Sequence, residues 1–189
     1  MIDRYAGLFR PASVEINGSN HEPVEGSEVP RYVEEMLDYL IANWESKTAT
    51  HLAAYVMWRL NWIHPFADGN GRTSRILSYM VMCARLGYRL PGSNTIPEQI
   101  SEYKEPYYDA LEASDREYAS GKVDVSEMEN LLESYLAKQL VEVQSAATGK
   151  IFDAERSKTS KVDFLEKRPV LWTVVVAVLI AVIGWAFFT

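Results

Sequence analysis

The pattern of apolar positions predicts a mainly helical chain. Apolar residues recur at intervals of three and four along five stretches, the spacing that places them on one face of a helix. A glycine ends the third stretch, where a helix favours that residue because glycine accepts positive φ. The predicted helices cover Arg31–Trp44, Thr50–Trp62, Asn70–Gly87, Ser101–Ser120 and Asp124–Val143.

A single strand candidate stands before these helices. Val14, Glu15 and Ile16 alternate in polarity and are followed by Asn17-Gly18, a turn signal typical of hairpins. We therefore expect a small β-hairpin flap. Few apolar residues lie between Ile16 and Gly26, so we expect any peptide docked there to be held by backbone hydrogen bonds.

The last part of the chain changes character twice. Residues 144–168 are polar, typical of a linker or a partly helical stalk. Residues 170–188 are apolar on all sides, without charge or proline. As a helix they would be about 28 Å long, enough to cross the hydrocarbon layer of a bilayer. The predicted organisation is a domain at 1–143, a linker at 144–168 and a transmembrane anchor at 169–189; a buried or oligomerising helix is the alternative for the apolar run.

The residues around the apolar run predict its orientation. Trp172 and Trp185 lie near its two ends, where interfacial aromatics belong. Basic residues precede the run and no charged residue follows it, so the positive-inside tendency places the domain in the cytoplasm. The first twenty or so residues lack the continuous apolar core of a signal peptide. We expect a tail-anchored membrane protein.

Composition narrows the classes of partner. The 189 residues carry a net charge of −7, which argues against nucleic acid as the main ligand. Cys83 is the single cysteine, so no internal disulfide can form and a reducing compartment is expected. The spacing of Cys and His residues matches no zinc site.

The stretch His64–Arg75, which reads HPFADGNGRTSR, concentrates the candidate chemistry. Two glycines allow the backbone to approach a ligand at the start of a predicted helix, where free amides and the macrodipole favour an anion. Arg72 and Arg75 share one face of that helix and suit phosphate. Asp68 is a hard oxygen ligand suited to Mg²⁺, and His64 can accept a proton near neutral pH.

This stretch matches the motif H-P-F-x-[DE]-G-N-G-R-x-x-R in full, and the chain resembles the Fic family. Other segments also resemble that family, and together they cover roughly residues 1–140. They are Gly7–Arg10, Val14–Ile16, Val29–Pro30 with Glu35–Leu37, and the Y-Y-x-A-L sequence at Tyr107–Leu111. The resemblance implies a helical Fic fold with a flap hairpin.

The resemblance also implies an activity, the transfer of AMP from ATP to a hydroxyl side chain of a target protein. His64 would be the general base and Asp68 the Mg²⁺ ligand. Gly69, Asn70 and Gly71 would bind the α- and β-phosphates. Arg72 would neutralise the β-phosphate, and Arg75 would reach the γ-phosphate. Phe66 would anchor the loop in the core.

Two other classes remain open. Fic-like proteins can transfer phosphate, UMP or phosphocholine, or remove AMP, and retention of both arginines favours nucleotidyl transfer over phosphate transfer. A non-catalytic membrane adaptor that senses nucleotide is the second alternative, against which the presence of His64 argues. The chain has no clean copy of the family's inhibitory motif [ST]-x-x-x-E-[GN]. We therefore expect restraint from a partner protein, from self-association or from membrane placement.

Overall fold

Six α-helices make up most of the described chain. The computed structural model describes residues 7–16, 18–19 and 21–166, with side chains as far as Gly149. The chain divides between Val141 and Glu142 into two compact units. A short 3-10 helix at Gly26–Glu28 precedes α1 (Val29–Asn43), α2 (Ala49–Ile63), α3 (Asn70–Leu86), α4 (Ile96–Glu102), α5 (Glu105–Ala119) and α6 (Ser126–Glu166).

Helix α2 is the centre of the first unit. It begins after Thr48, whose hydroxyl oxygen accepts a hydrogen bond from the amide of His51. It packs most extensively on α3 and also contacts α1 and α5. The largest buried apolar side chains on and around it are Leu52, Met57, Trp58, Ile63, Met82, Ile96, Ile100, Tyr107, Met128 and Leu132. A helix that is enclosed on all sides sets a fixed position for the residue at its end.

Arg59 joins three helices inside this core. It is 4% exposed, and its guanidinium lies 4.2 Å from the ring centre of Trp62 and 4.6 Å from that of Tyr118. One nitrogen donates to the Tyr118 hydroxyl at 3.2 Å and lies 3.6 Å from the Glu35 carboxylate. Aromatic faces stabilise a buried cation when few hydrogen-bond acceptors are near. Arg59 thus has a structural place between α1, α2 and α5.

The structure confirms the helices predicted around the motif and corrects the one predicted at Ser101–Ser120. That stretch contains the end of α4 and all of α5, separated at Tyr103, whose backbone is extended. Pro106 is the physical reason, because proline is tolerated in the first turn of a helix but not in its interior. Helix α4 itself begins with a capping box between Thr95 and Glu98.

The predicted β-hairpin flap is wrong for the part of the segment that the structure describes. Residues 13–16 form no strand, and residues 18–19 form only a turn in which the Ser19 amide donates to Ile16 oxygen at 3.2 Å. The carbonyls of Ala12 and Val24 accept hydrogen bonds from the Arg10 side chain. An isolated two-stranded ladder is marginal in water, and this side chain fixes the flap as a loop instead.

Helix α6 continues through all but the last two residues of the predicted polar linker, as far as Glu166. The apolar run at 170–188, predicted as a membrane span, lies outside the described residues. Among the helices of the described ranges, none is long and apolar enough to cross a membrane.

Candidate active site

His64 caps the C-terminal end of α2 in a left-handed conformation. Its φ is 53° and its ψ is 57°, and its amide donates to Leu60 oxygen at 3.0 Å. A residue with a side chain rarely adopts positive φ, and such residues cluster at functional sites. In the described ranges, His64 is the only residue other than glycine with positive φ. The turn lifts the imidazole away from the helix axis.

The imidazole of His64 has the protonation pattern of a base. Its Nδ1 lies 3.4 Å from the carbonyl oxygen of Asn61. A carbonyl oxygen can only accept, so this contact favours a proton on Nδ1 and leaves the Nε2 lone pair for an incoming proton. Burial lowers the pKa of His64, the Asn61 contact raises it, and the positive charge of Arg10 lowers it further. The net direction is downward, which keeps the ring neutral at physiological pH.

Asn70 holds the loop between α2 and α3 in shape. It is 2% exposed, its Oδ1 accepts from the Phe66 amide at 2.8 Å, and its Nδ2 donates to the Phe66 carbonyl at 2.8 Å. The Phe66 ring, half-buried, lies 6.1 Å from that of Phe9. The side chain of Asn70 therefore fixes the loop, and its backbone amide is the part that can contact a ligand.

Helix α3 begins with backbone amides that have no acceptor inside the helix. Gly69 precedes it with φ at 82°, and the amide of Thr73 donates to Gly69 oxygen at 2.9 Å. The amides of Asn70, Gly71 and Arg72 come before this first hydrogen bond of the helix, so they have no acceptor within it. The amide of Gly69 donates to the Asp68 carboxylate at 2.6 Å, so it is less available than the sequence suggested. The helix start provides the positive end of the dipole.

The two motif arginines lie over the two motif glycines. A Cβ at Gly69 would be 3.5 Å from Nη2 of Arg72, and a Cβ at Gly71 would be 3.3 Å from Nη1 of Arg75. Both arginines line one open cleft beside Pro97 of α4. The structure thus brings together both arginines and both glycines at one helix end.

Asp68 is exposed at the rim of the same loop. One carboxylate oxygen lies 3.3 Å from Nη2 of Arg72, and the pair is more than half exposed on both sides. Such exposed pairs contribute little stability and rearrange easily. No cluster of three candidate metal ligands occurs in the described ranges. A lone carboxylate fits a Mg²⁺ ion whose other ligands are substrate phosphates and water.

His64 lines a second cleft, which shares no lining residue with the first. This cleft has a volume of about 390 Å³ and lies between the flap and α5. Residues of the flap and of α2 line it at Ile16, Gly18, Ser19, His21, Asn61 and Trp62, and residues of α5 line it at Glu105, Tyr108, Asp109, Leu111, Glu112 and Asp115. The base and the arginines thus face two neighbouring clefts.

Two hydrogen bonds connect the C-terminal end of α2 to the first turn of α3. Nδ2 of Asn61 donates to the Ser74 hydroxyl at 2.7 Å, and that hydroxyl donates to Gly71 oxygen at 3.0 Å. Ser74 is fully buried. The end of α2 that carries His64 is thereby fixed to the first turn of α3.

The sequence did not single out Asn61, His21 or Arg10 as site residues. Nε2 of His21 lies 2.8 Å from the carbonyl oxygen of Trp62, and its ring lines the His64 cleft. Arg10 contacts the peptide of His64 itself. Their partners are backbone carbonyls or residues distant along the chain, so a local pattern carries no signal for them.

The helical domain that carries this site has the fold of solved Fic family proteins. The chain aligns with the crystal structure of a Fic family protein from Desulfovibrio desulfuricans at a TM-score of 0.58, with 24% identity, covering 74% of this chain and 41% of that one. A Fic domain-containing signalling protein from Bacteroides thetaiotaomicron aligns at a TM-score of 0.57, with 29% identity, covering 74% and 54%.

Sequence comparison gives the same family. Residues 1–82 match the Fic/DOC family. A Fido domain-containing protein of Dictyostelium discoideum is 37% identical over 71 residues, which are 38% of this chain and 45% of that protein. The comparisons agree in the similarity of this chain to Fic/Fido domain proteins. The chain spans under half the length of this curated relative.

Proposed function

We propose that this protein transfers AMP from ATP to a hydroxyl side chain of a target protein. One observation carries the proposal: hydrogen bonds from Asn61 to Ser74 and from Ser74 to Gly71 link the end of α2, which carries His64, to the helix start that carries the two motif arginines. A base and an anion site held at a fixed separation are what phosphoryl-centre chemistry requires, because such catalysis is mostly positioning and charge stabilisation.

In the proposed reaction His64 acts on the attacking group. Nε2 accepts the proton of the target hydroxyl while its oxygen bonds to the α-phosphorus. The bond between the α-phosphorus and the bridging oxygen breaks, and pyrophosphate leaves with the electron pair. The contact from Nδ1 to Asn61 oxygen at 3.4 Å orients the ring and stabilises the imidazolium that forms.

The phosphates would bind at the start of α3. The amides of Asn70, Gly71 and Arg72 and the two guanidiniums would donate hydrogen bonds to the phosphates and stabilise the charge that develops on the departing pyrophosphate. Arg72 would neutralise the β-phosphate and Arg75 the γ-phosphate. Asp68 would hold Mg²⁺, which would supply further charge neutralisation on the phosphate oxygens. Its carboxylate would turn from Arg72 towards the cation, and the loss of this exposed ion pair would cost little free energy.

The test is incubation of the purified chain with labelled ATP, Mg²⁺ and cell extract, followed by mass spectrometry of labelled proteins. We expect an AMP adduct on Ser, Thr or Tyr. His64→Ala should abolish the adduct while ATP binding survives, because the base does not hold the phosphates. Arg72→Ala and Arg75→Ala should weaken ATP binding, because each removes a proposed phosphate contact, and Arg89→Ala, on an exposed residue after the end of α3, is their matched control.

Three results would overturn parts of this proposal. An adduct of phosphate, UMP or phosphocholine, or removal of AMP from a modified target, would assign another Fic-type reaction. A cellular activity that persists in His64→Ala would favour the nucleotide-sensing adaptor. ATP affinity that is the same for wild type and Asp68→Ala across a Mg²⁺ titration would remove Asp68 from the metal role.

We also propose that residues 170–188 anchor the chain in a membrane with the catalytic domain on the cytoplasmic side. The apolar length of that run supports the proposal. Alkaline carbonate extraction of the full chain, compared with a chain that ends at Glu166, tests it. Release of the full chain into the soluble fraction would reject it.

Restraint of the activity is proposed to come from an inhibitory partner protein or from self-association, since the sequence has no clean inhibitory motif. The specific activity of the purified chain should then depend on its concentration or on an added partner. Activity that rises after a Glu→Gly change within this chain would instead identify an internal inhibitor.

A further inference from the structure

Arg10 lies where the flap meets the end of α2, and it is 2% exposed. Its Nε donates to the carbonyl of His64 at 2.7 Å, and its Nη2 to the carbonyl of Ile63 at 3.3 Å. Its Nη1 donates to the carbonyl of Ala12 at 2.7 Å, and Nη2 also donates to that of Val24. The amide of Arg10 donates to the carbonyl of Pro65 at 2.9 Å. Arg10 therefore binds the two ends of the flap, at Ala12 and Val24, and the turn at residues 63–65 that carries His64.

The end of α2 needs such a group. The last carbonyls of a helix have no partner inside the helix, and they form the negative end of its dipole. The chain turns sharply there because His64 is left-handed. A guanidinium has five donors in a fixed plane, enough to bind carbonyls from two directions at once.

The partners of Arg10 set it apart from a purely structural buried arginine. Such residues are normally paired with a carboxylate. Within the described ranges no carboxylate lies within ion-pair distance of Arg10, although Glu25 exerts a weaker electrostatic effect. All three of its side-chain nitrogens donate to carbonyls of the histidine turn and the flap.

We infer that Arg10 is a positioning residue for the transfer reaction: its guanidinium fixes the backbone of the base His64 and, with the same donors, the two ends of the flap that bounds the substrate cleft. This inference rests on the proposed function only for its catalytic consequence. The fixed turn sets where the imidazole points, and the fixed flap sets where the target hydroxyl can enter. Nucleotide phosphates bind on α3, away from these contacts.

The charge of Arg10 has a second effect, since its proximity lowers the pKa of His64. Other titratable groups also face the cleft that His64 lines: His21 from the flap, and Glu105, Tyr108, Asp109, Glu112 and Asp115 from α5. Of these groups, His21 lowers the pKa of His64 in the same direction as Arg10. Loss of the Arg10 charge should therefore raise the pKa of His64.

Two variants separate geometry from charge. Arg10→Lys keeps the charge, but one ammonium cannot reach all four carbonyls. We expect kcat to fall about 10- to 100-fold, the scale of a small misplacement of a catalytic group. The acid limb of its pH profile should stay where it is in wild type. Arg10→Met loses kcat similarly, and its acid limb should move to higher pH. Both should bind ATP within about twofold of wild type, because the phosphate site is separate.

The matched control is Arg59→Lys, a change at an equally buried arginine that contacts aromatic rings and not the histidine turn. It should lower the unfolding temperature while leaving the Cα shift of His64 and the acid limb of the pH profile unchanged. All rates are measured well below each variant's unfolding temperature. If Arg10→Met does not fold, Arg10→Lys against Arg59→Lys decides the question.

A measurement on the full chain without substrate keeps this inference separate from the proposed function. NMR of the His64 ring gives its pKa, and the Cα shift of His64 reports the left-handed backbone. We expect the pKa to rise in Arg10→Met and the Cα shift to change in both variants. Unchanged shifts and an unchanged kcat in Arg10→Lys would overturn the positioning role. A wild-type chain that transfers no nucleotide, with the NMR changes present, would reject the proposed function and leave the structural part standing.

Discussion

At the scale of single residues, His64 shows how position controls protonation. It ends a buried helix, and burial lowers its pKa while the Asn61 carbonyl opposes that shift. The base is therefore available at a pH where an exposed histidine would already be protonated. The environment and the neighbouring charges set this property, whereas the identity of the residue alone does not.

The first prediction concerns pH. Because the pKa of His64 lies below its ordinary value of 6.5, the kcat/KM for transfer should stay constant down to a pH below that value and then fall. The unfolded chain binds this proton more readily than the folded one, so the free energy of unfolding should decrease as the pH falls below 6.5. Denaturant titrations at several pH values measure this, with His64→Gln as the control. An acid limb above 6.5 would contradict the direction of the shift.

The second prediction concerns Asn70. Asn70→Asp keeps the shape but removes the donor to Phe66 oxygen, leaving two acceptors face to face. The side chain is buried, so we expect a loss of about 1–3 kcal/mol of stability and weaker ATP binding. Chemical denaturation and calorimetry measure the two effects. Asn130→Asp, at an exposed position of α6, should show neither, and equal results for the two variants would refute the loop-fixing role.

At the scale of elements, the sequence predicted the helices that carry the site better than the loops that shape it. The start of α3 was predictable because Gly69-Asn70-Gly71 and the periodic apolar residues after it are local signals. The start of α5 was missed because Pro106 outweighs the apolar period around it. The flap was misjudged since Arg10, which holds its carbonyls, contacts residues more than fifty positions away. Contacts of that kind leave no local pattern.

The third prediction belongs to the first turn of α3. Gly71 has an ordinary helical backbone, but a Cβ there would be 3.3 Å from Nη1 of Arg75. Gly71→Ala should therefore stabilise the helix by up to about 1 kcal/mol and at the same time displace Arg75 and weaken ATP binding. A disrupted fold would lower both the stability and the ATP affinity, so a gain in stability with a loss of affinity identifies the effect on Arg75.

Gly149→Ala is the control for this change. It lies in α6, and a Cβ there would meet nothing within 4 Å. The control should affect stability alone. If Gly71→Ala binds ATP as well as wild type does, Arg75 does not depend on the space above Gly71.

At the scale of the whole molecule, the buried apolar side chains found as far as Gly149 all lie within the first unit. Met128 and Leu132, on the first turns of α6, are fully buried. The motif loop, its supporting helices and Arg10 all lie within residues 7–141 as well. The sequence predicted a domain at residues 1–143, because the helical periods and the motif lie within those residues.

The fourth prediction follows from this distribution. A fragment of residues 1–143 should unfold cooperatively and bind ATP with the affinity of the full chain, because it keeps every contact of the candidate site. A fragment that ends at Asp124 should not fold, since it lacks Met128 and Leu132. Circular dichroism and calorimetry on the two fragments decide the matter. An unfolded 1–143 fragment would show that residues beyond it contribute to the domain.

At position 64, the left-handed backbone lowers the stability of the fold while the side chain provides the base. Holding a side chain at φ 53° costs about 1–3 kcal/mol, a penalty that glycine would not have. A descendant of this chain with glycine at position 64 would relieve that strain and would have no base. A substitution that abolishes turnover at this residue would therefore increase the stability of the fold. Selection for activity, and not for stability, would retain the histidine.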